Sequence, residues 1–276
     1  MREPTCPREV VGLVPAGGQA RRIAPLPTSK ELLPIGFRSV DDGGGLRLKV
    51  VCHYLLEKMR WADIEKAFIV LGKGKWDIPA YLGDGGMFEM HLAYLTICSS
   101  FGAPYSLDQA YPFLGNAMVA LGFPDILFES DDAFVQLLSL QETCKADAVL
   151  GLFPADKPHK VDMVDVDDRG CVRQLVIKPT QSRLPFTWAC AVWTPVFTQF
   201  MHEYLFALRK PGKMNTPKGQ SDRKELFVGD VFQAAIDSGL RIEGKVLSDQ
   251  AYLDIGTPDD LVKAVRLMGL RSPLQN

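Results

Sequence analysis

The run Val10-Val11-Gly12-Leu13-Val14-Pro15-Ala16-Gly17-Gly18 constrains this chain more than any other. A short apolar stretch of strand length ends in residues with little or no side chain. A strand of that kind is buried in a sheet, and the glycines behind it let backbone N–H groups approach a ligand closely. Arg22 and Lys30 follow, with Pro25 and Pro27 stiffening the connection between them. A guanidinium can grip two phosphate oxygens at once, and an ammonium acts as a movable point charge. Ala16, Gly17, Gly18, Arg22 and Lys30 are therefore candidates for holding a group that carries several negative charges.

Two familiar phosphate loops are absent. The dinucleotide spacing G-x-G-x-x-G does not occur, and no acidic residue closes a second strand some twenty positions on, which argues against a nicotinamide-dependent oxidoreductase. No G-K-[S/T] follows the glycines, so this is not a Walker loop. A second glycine cluster, Asp42-Gly43-Gly44-Gly45, has no recognisable strand before it and reads as a flexible loop.

Along the chain, apolar β-rich runs alternate with helical spacing, which predicts an α/β fold with a largely parallel sheet. Strands are expected at Val10–Val14, Lys66–Leu71, Ala117–Leu121, Ala148–Phe153 and Trp188–Trp193. Helices are expected at Leu46–Met59, Ala133–Lys145, from Pro195 through Met201, at Asp230–Ser238 closed by Gly239, and at Pro258–Met268. Asp167-Asp168-Arg169-Gly170 between Met163–Val166 and Cys171–Ile177 is a hairpin signal. Residues 209–224 hold six basic residues with little apolar content and read as a solvated loop, or as a lid over an anionic substrate. With no repeat and no linker, a single domain over residues 1–270 and a tail at 271–276 is the expected organisation.

Composition removes several function classes. The 276 residues carry a formal net charge of −2, which gives nucleic acid or an anionic membrane surface no reason to bind. No stretch approaches the ~20 apolar residues that span a bilayer, and Met1-Arg2-Glu3-Pro4-Thr5 does not begin a signal peptide, so a cytoplasmic location is expected. The six cysteines form no close zinc or redox pair and mostly sit in apolar surroundings, which suits small core residues.

Ala16-Gly17-Gly18 with Arg22, followed by Lys30-Glu31-Leu32-Leu33-Pro34, resembles the signature of sugar-phosphate nucleotidyltransferases, especially glucose-1-phosphate thymidylyltransferases. Ala20 stands where that family has a second glycine, and Arg21 where it has threonine. Leu82-Gly83-Asp84-Gly85, Met163–Pro179, Gly229-Asp230-Val231 and Tyr252-Leu253-Asp254-Ile255-Gly256-Thr257-Pro258 resemble further family segments in order, with Ile177 in the place of a glutamate. The resemblance implies a Rossmann-like, three-layer α/β/α fold with a mixed, mostly parallel central sheet.

It also implies roles. Asp125 and Asp254 match the aspartates that hold Mg2+, and Lys178 the lysine that contacts the sugar's phosphate. Arg22 and Lys30 become catalytic cations, and the loop at Ala16, Gly17 and Gly18 a nucleotide site. Gln109 is the candidate for reading the base, and Tyr94, Tyr105 and Tyr111 for stacking on it. The expected partners are a nucleoside triphosphate, with thymine or uracil as base, and a sugar 1-phosphate such as glucose 1-phosphate; assembly into a homo-oligomer is left open. The expected reaction joins the two and releases pyrophosphate. The alternative is a regulatory homologue that binds nucleotide sugars with little or no turnover.

Overall fold

The computed structural model describes residues 8–40, 45–98, 101–209 and 225–269. The tail 271–276, all but Arg209 of the basic segment 209–224, the N-terminal Met1–Thr5, Cys6 and Asp42-Gly43-Gly44 lie outside the described residues. In chain order the elements are β1 (Val10–Ala16), β2 (Pro34–Val40), β3 (Gly45–Val50), α1 (Val51–Trp61), β4 (Lys66–Gly72), α2 (Asp77–Leu82) and β5 (His91–Ile97). There follow α3 (Ala103–Leu107), α4 (Tyr111–Leu114), β6 (Met118–Gly122), β7 (Ile126–Leu127), α5 (Ala133–Cys144), β8 (Ala148–Pro154), β9 (Met163–Val166) and β10 (Val172–Val176). The last are β11 (Phe186–Trp193), α6 (Pro195–Leu208), α7 (Val228–Asp237), β12 (Ile242–Val246), β13 (Leu253–Asp254) and α8 (Pro258–Gly269).

β1 lies between β4 and β6 and is parallel to both, with Val11 opposite Lys66 on one side and Val119 on the other. β5 extends the parallel half beyond β4. β11 turns the direction, pairing antiparallel with β6 and β8, and β12 adds a parallel edge to β8. Alternation along β1 sends Val11 and Leu13 into one core and Val14 and Ala16 into the other, as a strand covered on both faces requires. The first core carries Leu107, Phe197 and Phe232 of α3, α6 and α7; the second carries Leu55, Ile78 and Phe134 of α1, α2 and α5. This is the expected three-layer arrangement around a mixed sheet. Among the described residues no helix is long and apolar enough to cross a membrane.

Three expectations are corrected. Leu46–Val50 is not helical: β2 and β3 form an antiparallel hairpin with Phe37 opposite Leu48, and the helix begins at Val51, whose N–H bonds to the Leu33 carbonyl at 3.1 Å. The same hairpin places a strand, Pro34–Val40, before the glycine cluster ending at Gly45. Nor are most of the described cysteines core residues. Cys52 and Cys190 are buried, whereas Cys144 and Cys171 are half-buried and Cys98 is exposed.

Candidate active site

The glycine turn is built by two parallel strands that end level with each other. Ala16 is in register with Leu71, so Gly17 comes beside Gly72. A Cβ on Gly72 would stand 2.6 Å from the Gly17 carbonyl oxygen and 3.1 Å from its Cα, so this approach requires a bare backbone. The turn opens on a cavity of about 700 Å³ lined by Gly17, Gly18, Lys30 and Asp125. Ala20 has φ +50°, the left-handed region where a glycine is at ease, which explains the family's preference at that position. Ala20→Gly should relieve the strain and, after the entropy that glycine adds to the unfolded chain, raise stability by about 0.5 kcal/mol, ~1–2 °C in a thermal melt. An unchanged or lower Tm would contradict this account of the turn.

Lys30 is held from behind. The Asp77 carboxylate accepts the Ser29 N–H at 2.6 Å, the Ser29 hydroxyl at 2.7 Å and the Thr28 hydroxyl at 2.8 Å, which fixes the strip leading to the 3-10 turn Lys30–Leu32. The Lys30 ammonium donates to the Asp125 carboxylate. Burial is the largest single influence and lowers its pKa, but the charge and hydrogen bond of Asp125, with the charges of Glu31 and Asp254, together outweigh it and hold the ammonium above the ordinary lysine value. The lysine is thus a fixed cation.

Asp254 reaches the same place from the other end of the chain. β13 pairs with β7 in a two-stranded ladder outside the main sheet, Asp254 opposite Ile126, and the Ile255 N–H bonds to the Asp125 carbonyl at 3.0 Å. Asp254 is thus the last residue of a strand that lies outside the main sheet. The two carboxylates are close enough to matter electrostatically. Partial desolvation first, then the Asp125 charge, hold Asp254 above the usual carboxylate range. The exposed Arg22 guanidinium lies 3.8 Å from Asp254 and occupies the space that a side chain at Gly256 would need. Arg22 with Asp254 and Lys30 with Asp125 form two neighbouring ion pairs, the second of them in the lining of the cavity at the glycine turn.

Of the expected site residues Gly17, Gly18, Lys30 and Asp125 line this cavity, whereas Ala16, Arg22 and Asp254 lie outside its lining, as do Lys178, Gln109 and the three tyrosines. The Lys178 ammonium lies 3.5 Å from the centroid of the Phe227 ring, and its backbone is held at φ +44° immediately before Pro179, an unfavourable conformation of the kind that concentrates at functional sites. Gln109 is exposed, its amide donating to the Tyr105 carbonyl at 3.3 Å. Tyr94 donates to the Gly83 carbonyl at 2.6 Å, Tyr105 carries Arg209 over its ring, and Tyr111 stacks on His202 at 3.7 Å. Ile177 is buried in the core, where a side chain on Gly229 would meet its Cδ1. The lining instead includes Phe101, Ser106, Cys98 and Lys73. Of these only Lys73 left a trace in the sequence, as a charge at the end of the next parallel strand.

Comparison with known proteins gives the fold and the family. The low-salt glycan biosynthesis nucleotidyltransferase Agl11 of Haloferax volcanii is 25% identical over 93% of this chain, and a glucose-1-phosphate thymidylyltransferase of Streptomyces griseus is 28% identical over 93%. The chain spans 65% of the length of each of these two curated relatives. A crystal structure titled as a putative glucose-1-phosphate thymidylyltransferase from Bacillus anthracis has the same fold, with a TM-score of 0.75 at 22% identity, covering 94% of this chain and 95% of that one. The profile described as nucleotidyl transferase matches residues 11–269, and the chain belongs to that family.

Proposed function

We propose that the chain transfers a nucleotidyl group from a nucleoside triphosphate to a sugar 1-phosphate, forming a nucleotide sugar and releasing pyrophosphate. The observation that carries this reading is the pairing of Lys30 with Asp125 in the lining of the cavity at the glycine turn, with Asp254 and its partner Arg22 brought next to them by the β7–β13 ladder. Thymidine or uridine triphosphate and glucose 1-phosphate are the favoured substrates, and relatives named glucose-1-phosphate thymidylyltransferase support the thymidine nucleotide and the glucose 1-phosphate.

The donor set suits Mg2+. Among the described residues no three acidic, His or Cys side chains form a closed metal cage. Two neighbouring carboxylates completed by substrate phosphates are what this ion commonly accepts. When bound there, the ion would neutralise phosphate charge and polarise the reacting phosphoryl oxygens. The chain's own groups do the rest. The Gly17 and Gly18 backbone admits the triphosphate, and Arg22 and Lys30 offset charge that builds on the phosphoryl oxygens. Lys178 orients the sugar phosphate. An oxygen of that phosphate bonds to the α-phosphorus as the α–β bridge bond breaks, and its electron pair leaves with pyrophosphate. Such a transfer depends mainly on positioning and charge.

The test is pyrophosphate release and product mass across a panel of triphosphates and sugar 1-phosphates. Product from any pair supports the proposal, and its absence from all pairs removes it. A second reading, a nucleotide-binding homologue with little turnover, draws on the buried Ile177 where the resemblance expects a sugar-binding carboxylate. Nucleotide binding without product would favour it.

A further inference from the structure

The cations around the turn are already engaged. Lys30 is bonded to Asp125, Lys75 to Glu31 and Arg22 faces Asp254, so each of these positive charges is largely offset by a carboxylate. A triphosphate brings about four negative charges, and a bound magnesium ion cancels two of them. Lys73 and Arg21 both line the cavity, and both are exposed. Among the described residues neither enters an ion pair: Arg21 bonds to Gln19 of its own loop at 2.9 Å. Glu225 lines the same cavity and, among the described residues, enters no ion pair.

The backbone of Lys73 is well anchored. It follows Gly72, whose contact with Gly17 fixes the β4 end against the glycine turn, and Lys73 and Gly18 both line the cavity. A flexible cation on a fixed backbone, one residue beyond the end of a parallel strand, reaches the phosphate side of the cavity. We infer that Lys73, assisted by Arg21, receives the distal phosphates of the triphosphate, the part that leaves as pyrophosphate. The inference rests on the proposed function and deepens it. It separates recognition of the terminal phosphates from recognition of the α-phosphoryl centre, which stays with Arg22, Lys30 and the two aspartates.

Titration calorimetry with magnesium present tests it, using inorganic pyrophosphate, thymidine triphosphate and thymidine monophosphate as probes. Lys73→Met should bind pyrophosphate and the triphosphate about tenfold more weakly, as expected for loss of a charged hydrogen bond, and the monophosphate within about twofold of wild type. Lys73→Arg should keep most of the affinity, and added salt should shrink the gap between wild type and Lys73→Met. Equal pyrophosphate affinity in wild type and Lys73→Met, or equal weakening of mono- and triphosphate, would overturn the assignment while leaving the active-site reading intact. A wild type that binds neither pyrophosphate nor triphosphate would overturn that reading and this assignment with it. Unchanged thermal melting of Lys73→Met, expected for an exposed side chain, shows that the variant is folded.

Discussion

Lys30→Ala is expected to lose about 10²–10³ of turnover in the pyrophosphate-release assay, because removing one preorganised group from a developing charge costs roughly 2.7–4 kcal/mol. The lysine is fixed before substrate arrives, pinned by the Ser29 and Thr28 contacts to Asp77 and by its pairing with Asp125. Its loss should therefore appear in kcat, with the KM for sugar 1-phosphate within about threefold of wild type. The ammonium also neutralises Asp125, so the variant frees a carboxylate. Magnesium affinity should hold or rise, the opposite of what a collapsed site would give. Asp254→Asn makes the contrasting case, since it removes a carboxylate and should weaken magnesium binding. Near-normal turnover in Lys30→Ala would remove the lysine from the chemistry.

Much of the fold could be read because its central strands are buried on both faces. β1, β4, β8 and β11 are runs of apolar residues whose neighbours leave them no exposed side. β3 was misread for a physical reason. Its alternation of Leu46, Leu48 and Val50 passes straight into α1, and Val50 offers no side-chain cap to announce the helix. β7 and β13 are two residues each, too short to leave any period, yet together they bring Asp125 and Asp254 into one place. The sequence pointed to each aspartate through resemblance. The ladder between them exists only in three dimensions.

The site was legible where its residues are close in sequence. The glycine turn, Arg22 and Lys30 share one loop, so charge and backbone freedom could be considered together. Gln109 is a candidate because it falls where the family has a Gln-containing segment and carries an amide, and the helical turn that carries it leaves it outside the cavity lining. Ile177 read as a lost sugar contact, while the fold uses it as a core residue against α7. Lys73 gave no motif at all; its meaning depends on which strand lies next to β1.

The residue following Lys30 leads to the second large effect. Glu31 is only 2% exposed, and both of its carboxylate oxygens accept from the Lys75 ammonium, at 2.7 and 2.6 Å. Behind it lie Val14, Ile69 and Leu82, which offer no hydrogen bonds from their side chains, and Cys52, whose thiol is only a weak donor. Desolvation first, countered by Lys75, holds the Glu31 carboxyl above its ordinary value. Lys75→Met leaves that charge without a partner and should cost about 3–5 kcal/mol, on the order of 10 °C in Tm. Without the ammonium the folded-state pKa of Glu31 rises further, so the native state binds a proton that the unfolded state has released. The deficit should therefore be small near the unfolded carboxylate value, grow as pH rises through the folded one, and level off above it. Replacing both partners, as Glu31→Leu with Lys75→Met, removes the charge together with its counter-charge and should bring stability back to within about 1 kcal/mol of wild type. Urea melts of the three proteins at pH 5.5 and pH 8 measure each step. If Lys75→Met is as stable as wild type at pH 8, the buried pair does not hold the base of the Lys30 turn, and another contact must keep Lys30 in place.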